Sequence, residues 1–575
     1  MGKKRWMAML LCMCMVFAML TGCKKETETG NPDTSNNTSQ DITGGGNEAT
    51  ATAAPEPAAD PFEKYAPEIA QTGIRIKTSW MTLDEGEDEN NNVWTRAVKD
   101  VLGITLTQKW TASDWGAPFD EKVNLAIATD DMPDIAGIYT TLFFRAVDNE
   151  RVADLTDAYE KYASPLLRSF MEMSDQAALK TVTYDGRIMG LAAPPSNDDR
   201  IFLWLRQDWL DKLQLKAPAT MDELYQLAEA FAARDPNGNG KADEIGLALT
   251  KTFWGGNADI SKLFNAYGLY PNHWVDVNGQ LTRGELLEEN KTVLTKLAEL
   301  YQKGVIAQDF ALKDASVEGD EDIASGKVGI CFGGVNLVGA PALVAAHENT
   351  GAEWAAYDMP TTTGGLAKMP FDTRITNFVV AGNKNEHPEA VIKMLNLQLE
   401  IETQNPEYVK DNTFNMSPNG NMNFWNKPGF GFEVPNTSGT NIKSVYAALQ
   451  DEALAASLNL SQKELYDKFK DYEANQTPVN YDVYTRYKEG GAASKYVTDE
   501  YQAAYYIDPA WWPETDAWVQ YGQELYTKVQ EFYTNAVITG DVDGEFDKWV
   551  NHFNTQGGQD ILTEYNERYQ EDKAN

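Results

Sequence analysis

Positive charge is scarce in this chain. Against 86 Asp and Glu stand 49 Lys and Arg, a formal net charge of −37 over 575 residues. Nucleic acid is held by clustered Lys and Arg that displace counterions from phosphates, so a chain this acidic is not built to wrap it. The same field repels anionic polymers at long range, although a local basic pocket overrides it at contact. Histidine is sparse too. His273, His347, His387 and His552 are scattered, which argues against a histidine-based zinc site. Three of the four cysteines, Cys12, Cys14 and Cys23, fall in the first 23 residues, leaving Cys331 alone in the body of the chain. No disulfide framework can be built from one thiol. Long apolar runs are missing as well: one uncharged stretch alone, Trp6 to Leu20, approaches the length of a membrane span. Nor does the chain carry Gly-x-Ser-x-Gly, His-Glu-x-x-His or the phosphate-cradling Gly-x-x-x-x-Gly-Lys-Ser/Thr.

What is present begins with a processing signal. Lys3, Lys4 and Arg5 precede the apolar run, which suits a secretory signal and is shorter than the roughly 20 residues a spanning helix needs. It ends in Leu20-Thr21-Gly22-Cys23. That tetrapeptide resembles the bacterial lipobox, in which the peptide is cut before the Cys and the thiol carries the lipid. The resemblance implies a lipoprotein signal peptide over 1–22 and lipidation of Cys23 with palmitate-type acyl chains, two of which anchor stably. Residues 23–60 then form a tether rich in Thr, Asn, Ser, Gly and Glu, with Gly44-Gly45-Gly46 and Ala53-Ala54-Pro55-Glu56-Pro57 and no apolar period.

Beyond the tether, strand-like runs alternate with amphipathic helices: Ile74 to Trp80, Asn92 to Leu102, Ile104 to Trp110, Phe119 to Ala128, then Asp134 to Tyr139. The alternation predicts a largely parallel sheet with helices on both faces, which binds ligands beyond the carboxyl ends of its strands. Trp80, Trp110 and Tyr139 sit at those ends, where they either meet a ligand or pack into the core. A second α/β run opens with Ile201 to Leu205. In it Thr220-x-x-Glu223 has the capping-box pattern, and Leu224, Leu227, Ala228 and Phe231 follow at helical spacing. Strands are expected at Ile245 to Leu249 and Val328 to Phe332, with a helix around Thr292 to Tyr301. From about Ser444 onward the chain is mostly helical and rich in Tyr.

Directly after the capped helix comes Asp235-Pro236-Asn237-Gly238-Asn239-Gly240-Lys241-Ala242-Asp243-Glu244. Oxygen side chains fall at positions 1, 3, 5 and 9, Gly stands at position 6, and Lys241 at position 7 offers its carbonyl. This is the ligand schedule of a calcium loop, since the hard cation takes six to eight oxygens and the Gly permits a sharp turn. Position 12 departs from it, being Gly246 in place of a bidentate Glu. Glu244, at position 10, can supply that carboxylate. The alternative is a polar Gly-rich turn.

The run Arg206-Gln207-Asp208-Trp209-Leu210-Asp211-Lys212-Leu213, then Pro218 to Leu224, then the Asp235 to Glu244 loop, resembles the extracellular solute-binding proteins of ABC importers. The likeness is closest to the lipoprotein branch that captures oligosaccharides. Asp130 to Ile135, Val152 to Thr156, Tyr184 to Leu191 and Gly326 to Ile330 follow in the family's order, so the resemblance covers about residues 70 to 400. In alginate-oligosaccharide binders of this branch a similar loop holds a structural calcium; the matching positions are Asp235, Asn237, Asn239, Lys241, Asp243 and Glu244. The resemblance implies a two-lobed α/β, periplasmic-binding-protein-like fold that closes on a ligand by hinge motion. Lobe one would run over 61–190, lobe two over 191–365, a return segment of lobe one over 366–440, and a helical part packing mainly on lobe two over 441–575. Crossings are expected near Met189 to Pro195 and Met359 to Asp372.

Sugars are held by aromatic faces and planar polar groups. By family position the candidates are Trp80, Tyr139, Trp254 before Gly255-Gly256, Phe332 before Gly333 and Gly334, Asp372 with Arg374, and Trp511. Each could equally be an aromatic or polar group at a helix or lobe junction. The implied protein is a monomer, lipid-anchored on the extracytoplasmic side of the cell membrane. It would deliver an oligosaccharide to ABC permease subunits, with a neutral glycan favoured by the net charge. The rival readings are a binder of peptide or another small solute and a surface glycan-cleaving enzyme, whose paired carboxylates cannot be singled out among 86 acidic residues. Cys331 lies within an apolar run and reads as an inert buried thiol, so no catalytic residue is named.

Overall fold

The computed structural model describes residues 59–574 apart from 77–82, 84–85, 113–116, 196–200, 255–257, 314–317, 336–340, 363–364, 372–373, 404–431, 433, 435–436, 511 and 513. The signal peptide, Cys23 and the tether up to residue 58 therefore lie outside the described residues, as do Trp80, Asp372, Trp511 and the Gly255-Gly256 pair.

The first strand, β1 (Ile69–Ile76), pairs in parallel with β2 (Ile104–Ala112) through α1 (Val93–Leu102). Asn92 starts α1 with a capping box shared with Thr95, and Gly103 stops it at φ 69°. Only glycine fits there, since a Cβ would stand 2.7 Å from Tyr65 O. Next come α2 (Ala117–Thr129), β3 (Ile135–Tyr139) and α3 (Thr140–Asp148). The Asp134 carboxylate ties β3 to β1, accepting from both Thr72 N and Thr72 Oγ1 at 2.7 Å. Three short helices lead to the hairpin β4 (Thr183–Tyr184) and β5 (Arg187–Ile188), and then to β6 (Leu191–Ala192).

The chain crosses to a second core with β7 (Ile201–Arg206), whose side chains are buried on both faces except at Ile201. The capped helix appears as α4 (Met221–Ala233), with Thr220 Oγ1 accepting from Glu223 N and the expected apolar stripe buried. After the hairpin β8 (Trp274–Val277) and β9 (Gln280–Arg283), strands β10 (Ile330–Gly334) and β11 (Trp354–Tyr357) flank β7 on either side. Ile245 to Leu249, expected as a strand, makes only an isolated bridge from Ile245 to Val328. Then follow β12 (Met369–Phe371), β13 (Asn377–Ala381), which lies between β3 and β6, and α5 (Glu389–Glu402). Among the described residues that follow, the elements are helices apart from β14 (Tyr505–Ile507), ending with α6 (Asp516–Thr539) and the helices Val542–Thr555 and Gly558–Ala574.

The fold is the two-lobed α/β arrangement, with a separate apolar core for each lobe. One core gathers residues from Ile74 to Ala192 and from Ile375 to Phe432. Two adjoining clusters gather residues from Phe202 to Met359 together with the helical C-terminal part. The first crossing thus falls between Ala192 and Phe202. Towards the second, Leu366 and Ala367 pack on lobe two, β12 pairs in parallel with β14, and Ile375 belongs to the lobe-one core. The sheets are mixed where a largely parallel arrangement was expected. β13 runs antiparallel to both β3 and β6, and β7 antiparallel to both β10 and β11. Both departures occur at the crossings, where a strand arrives from the other lobe against the direction of its neighbours. Among the described residues no helix is long and apolar enough to cross a membrane.

Candidate ligand cleft and cation loop

On lobe one the carboxyl ends of β2 and β3 carry Trp110 and Tyr139, both half-buried. They share the fully buried Phe119 of α2: ring centroids lie 5.9 Å apart for Trp110–Phe119 and 5.8 Å for Tyr139–Phe119. Lys122 Nζ stands 5.5 Å from the Trp110 ring. The two half-exposed rings thus rest on a rigid aromatic base at the strand ends where open α/β sheets bind ligands.

On lobe two, a small recess with room for about one water is lined by Ile201, Phe202, Lys262, Phe332, Met359 and Tyr501, among others. Phe202 and Tyr501 stack at 4.9 Å. Lys262 is 6% exposed, with Nζ 3.6 Å from Asp259 Oδ2, so the recess carries a buried ion pair within apolar walls. Beside it, β12 and β14 bring Phe371 and Tyr505 to 5.5 Å and leave Ile507 63% exposed.

Of the residues singled out from the sequence, Phe332 lines this recess but is itself a fully buried core side chain. Gly333 and Gly334 are strand residues opposite Phe202 and Ile201, and Gly333 O accepts from Trp204 Nε1 at 3.1 Å. Trp254 is elsewhere. Its ring packs edge-on against Tyr533 at 5.2 Å, and its Nε1 donates to Tyr526 Oη at 3.2 Å, so the C-terminal helix α6 occupies it. Arg374 follows the second crossing and interacts electrostatically with Tyr565. Phe202, Tyr501 and Lys262 were not singled out. Phe202 sits in a run apolar on both faces, which hides the side that lines a recess, and Tyr501 comes from a helix remote in sequence. Cys331 is completely buried, which pushes its thiol far above the ordinary range, as an inert thiol requires.

The Asp235 loop is built from its own amides. Asp235, at φ 48°, accepts from Asn239 N and Gly240 N, both at 3.0 Å. Asn237 Oδ1 accepts from Asn239 N and Asn239 Oδ1 from Lys241 N, each at 2.8 Å. Asn239 Nδ2 donates to Asp243 Oδ1 at 2.9 Å, a bond that holds the Asp243 carboxyl below its ordinary range. Lys241 is exposed, as a residue offering only its carbonyl should be. Lys212 Nζ donates to Pro236 O and pins the outer turn.

Glu244 stands apart from this closed network. It is 6% exposed, and neither carboxylate oxygen has a hydrogen-bond partner. Burial, reinforced by the Asp235 and Asp243 charges, raises its pKa. A buried carboxylate without partners is costly, and a cation removes that cost. The geometry also accounts for position 12. Gly246 N donates to Val305 O at 2.9 Å, and a Cβ on Gly246 would stand 2.1 Å from Ala228 O in α4. No side chain fits at position 12 without displacing that backbone, and Glu244 at position 10 is the nearby carboxylate. Among the described residues no three or more His, Cys, Asp and Glu side chains gather as a metal centre, so Asp235, Asp243 and Glu244 are not drawn together as they stand.

No family model matches the chain. Among curated proteins, it is 28% identical over 271 residues to the polygalacturonan/rhamnogalacturonan-binding protein YtcQ of Bacillus subtilis, covering 46% of this chain and 51% of that protein. It is 28% identical over 237 residues to the fructooligosaccharide ABC transporter substrate-binding protein FusA of Streptococcus pneumoniae, covering 39% and 43%. The chain spans about half the length of the curated relatives it matches. Among solved structures, the alginate-binding protein AlgQ2 without calcium ion superposes with a TM-score of 0.59 at 16% identity, over 89% of this chain and 100% of that one. An EF-hand mutant of the S. pneumoniae protein FusA in complex with fructo-nystose gives 0.57 at 18%, over 88% and 99%. At these identities the structures bear out the fold, and the curated relatives bear out the family resemblance read from the sequence.

Proposed function

We propose that this chain, one of the extracellular solute-binding proteins of ABC importers in their oligosaccharide-binding branch, captures an oligosaccharide between its lobes and hands it intact to membrane permease subunits. The observation that carries this reading is the pairing of two separately cored lobes, joined by two crossings, with half-buried aromatic rings at the strand ends of one and the Phe202–Tyr501 recess on the other. The half-buried Trp110 and Tyr139 rings can stack on pyranose faces. The relatives support a sugar: YtcQ is named for polygalacturonan and rhamnogalacturonan, FusA for fructooligosaccharides. The net charge of −37 favours a neutral glycan.

Cys23 would carry the lipid that holds the protein at the extracytoplasmic face of the membrane. Calcium would be held by Asp235, Asn237, Asn239, the Lys241 carbonyl, Asp243 and Glu244. It would supply positive charge to a loop with three carboxylates, and so brace the end of α4. Titration with neutral and acidic oligosaccharides, followed by intrinsic tryptophan fluorescence, tests the reading. Saturable quenching or enhancement with one glycan is expected. A response to peptides alone would replace the substrate class.

A further inference from the structure

Among the described residues, a hydrogen bond joins the two lobes directly. Thr141 Oγ1 donates to Glu514 Oε2 at 3.1 Å, between residues 373 apart in sequence. Thr141 lies in the first turn of α3, whose Leu142, Phe143 and Ala146 belong to the lobe-one core. Glu514 stands between Trp512 and Ala517, both in the lobe-two core. Neither partner is loosely held. The preceding residue, Thr140, is fastened to the second crossing: its Oγ1 donates to Ile375 O and its N to Thr376 O, both at 3.2 Å. On the other side, Thr515 is 1% exposed and caps α6 by accepting from Trp518 N at 3.3 Å, which fixes the backbone next to Glu514.

The electrostatics point the same way. Helix α3 has no side-chain cap at its N-terminus and no acidic residue in its first turn. The N-terminal end of a helix carries partial positive charge, which a carboxylate from outside the helix stabilises. Glu514 supplies that carboxylate from the opposite lobe.

We infer that the Thr141–Glu514 bond is a latch between the lobes, and that Glu514 is a positioning residue that sets how firmly the cleft stays shut. An opening that carries the Glu514 turn away from α3 would break the bond. The consequence for capture rests on the solute-binding reading above, since each opening for uptake or release must break the latch. The latch itself does not rest on that reading, and its test needs no solute.

Nitroxide labels on Ala128→Cys in lobe one and Asn349→Cys in lobe two, both exposed, report the inter-lobe distance by electron double resonance in solute-free protein. The parent should show one narrow distribution. Thr141→Val and Glu514→Ala should each add a second distance and raise the ratio of open to closed forms on the order of tenfold, the amount one charge-assisted, partly exposed hydrogen bond supplies. The double variant should go no further than either single one, and Thr141→Ser, which keeps the hydroxyl, should restore the parent distribution. Unchanged distributions in both single variants, additive effects in the double variant, or a parent already as broad as the variants would overturn the latch. A protein that latches in this way but binds no oligosaccharide would fail the functional reading alone.

Discussion

Glu244→Gln is expected to act in opposite directions with and without calcium. In the metal-free loop both Glu244 oxygens are buried and unbonded beside Asp235 and Asp243. A buried polar group without a partner costs about 1–3 kcal/mol, and more when charged. The Gln amide is still unpaired but neutral, so the variant in EDTA should be more stable than the parent by about 1 kcal/mol. With calcium at about a hundred times the dissociation constant, the parent gains about 2.7 kcal/mol. Losing one carboxylate of the donor set should weaken the site on the order of a hundredfold. The same calcium concentration then gives the variant only about 0.4 kcal/mol. The order of stability therefore inverts, with the variant above the parent in EDTA and below it in calcium. Equilibrium urea unfolding followed by circular dichroism, in calcium and in EDTA, reads both differences. An equal calcium increment in the two proteins, or none in the parent, would refute the assignment of Glu244 to the cation.

Three further outcomes follow from the geometry. Gly246→Ala puts a Cβ 2.1 Å from a backbone oxygen of α4. It should lower stability by at least about 1–3 kcal/mol in urea titrations, with or without calcium, because the clash is steric. Phe332→Ala empties a fully buried site and should cost about 3–5 kcal/mol of unfolding free energy; a loss of glycan affinity at unchanged stability would instead make it a ligand contact. Asp130 is held below its ordinary value of 3.8, first by its bond to Lys384, then by Asn383, with Arg151 adding to both. A depressed carboxyl contributes stability above its unfolded pKa and loses it as pH falls through the folded one. Asp130→Asn should therefore flatten the decline in stability below pH 3.8, and an acid limb identical to the parent's would contradict the pairing.

Local signals were the legible part of this chain. The Thr220 to Phe231 pattern is a capped helix with that stripe inside, because capping and helical spacing are decided within one segment. The Asp235 to Asp243 segment likewise folds about one turn, with Asp235, Asn237, Asn239 and Asp243 bonded within it. What stayed hidden depends on segments that meet late. Strand direction at the crossings was misread, since βαβ spacing says which strands neighbour one another within a lobe and nothing of a strand arriving from the other. The pairing of Met369–Phe371 with β14, more than 100 residues on, is likewise out of reach of any local pattern. Position 12 looked like a defect in the loop until Ala228 O filled the space of its side chain. Aromatic residues could be counted but not sorted: Trp254 is taken by α6, while Phe202 and Tyr501 meet only in three dimensions.

The most direct test of the account is a thermal-shift measurement with neutral oligosaccharides at fixed calcium, with the sugar recovered and analysed afterwards. A ligand that binds only the folded protein raises the melting temperature in proportion to RT ln(1 + [L]/Kd). The account predicts a concentration-dependent rise with at least one glycan, and that glycan recovered whole. A rise accompanied by cleaved sugar would contradict it in favour of an enzyme, and no rise with any glycan would contradict the oligosaccharide itself.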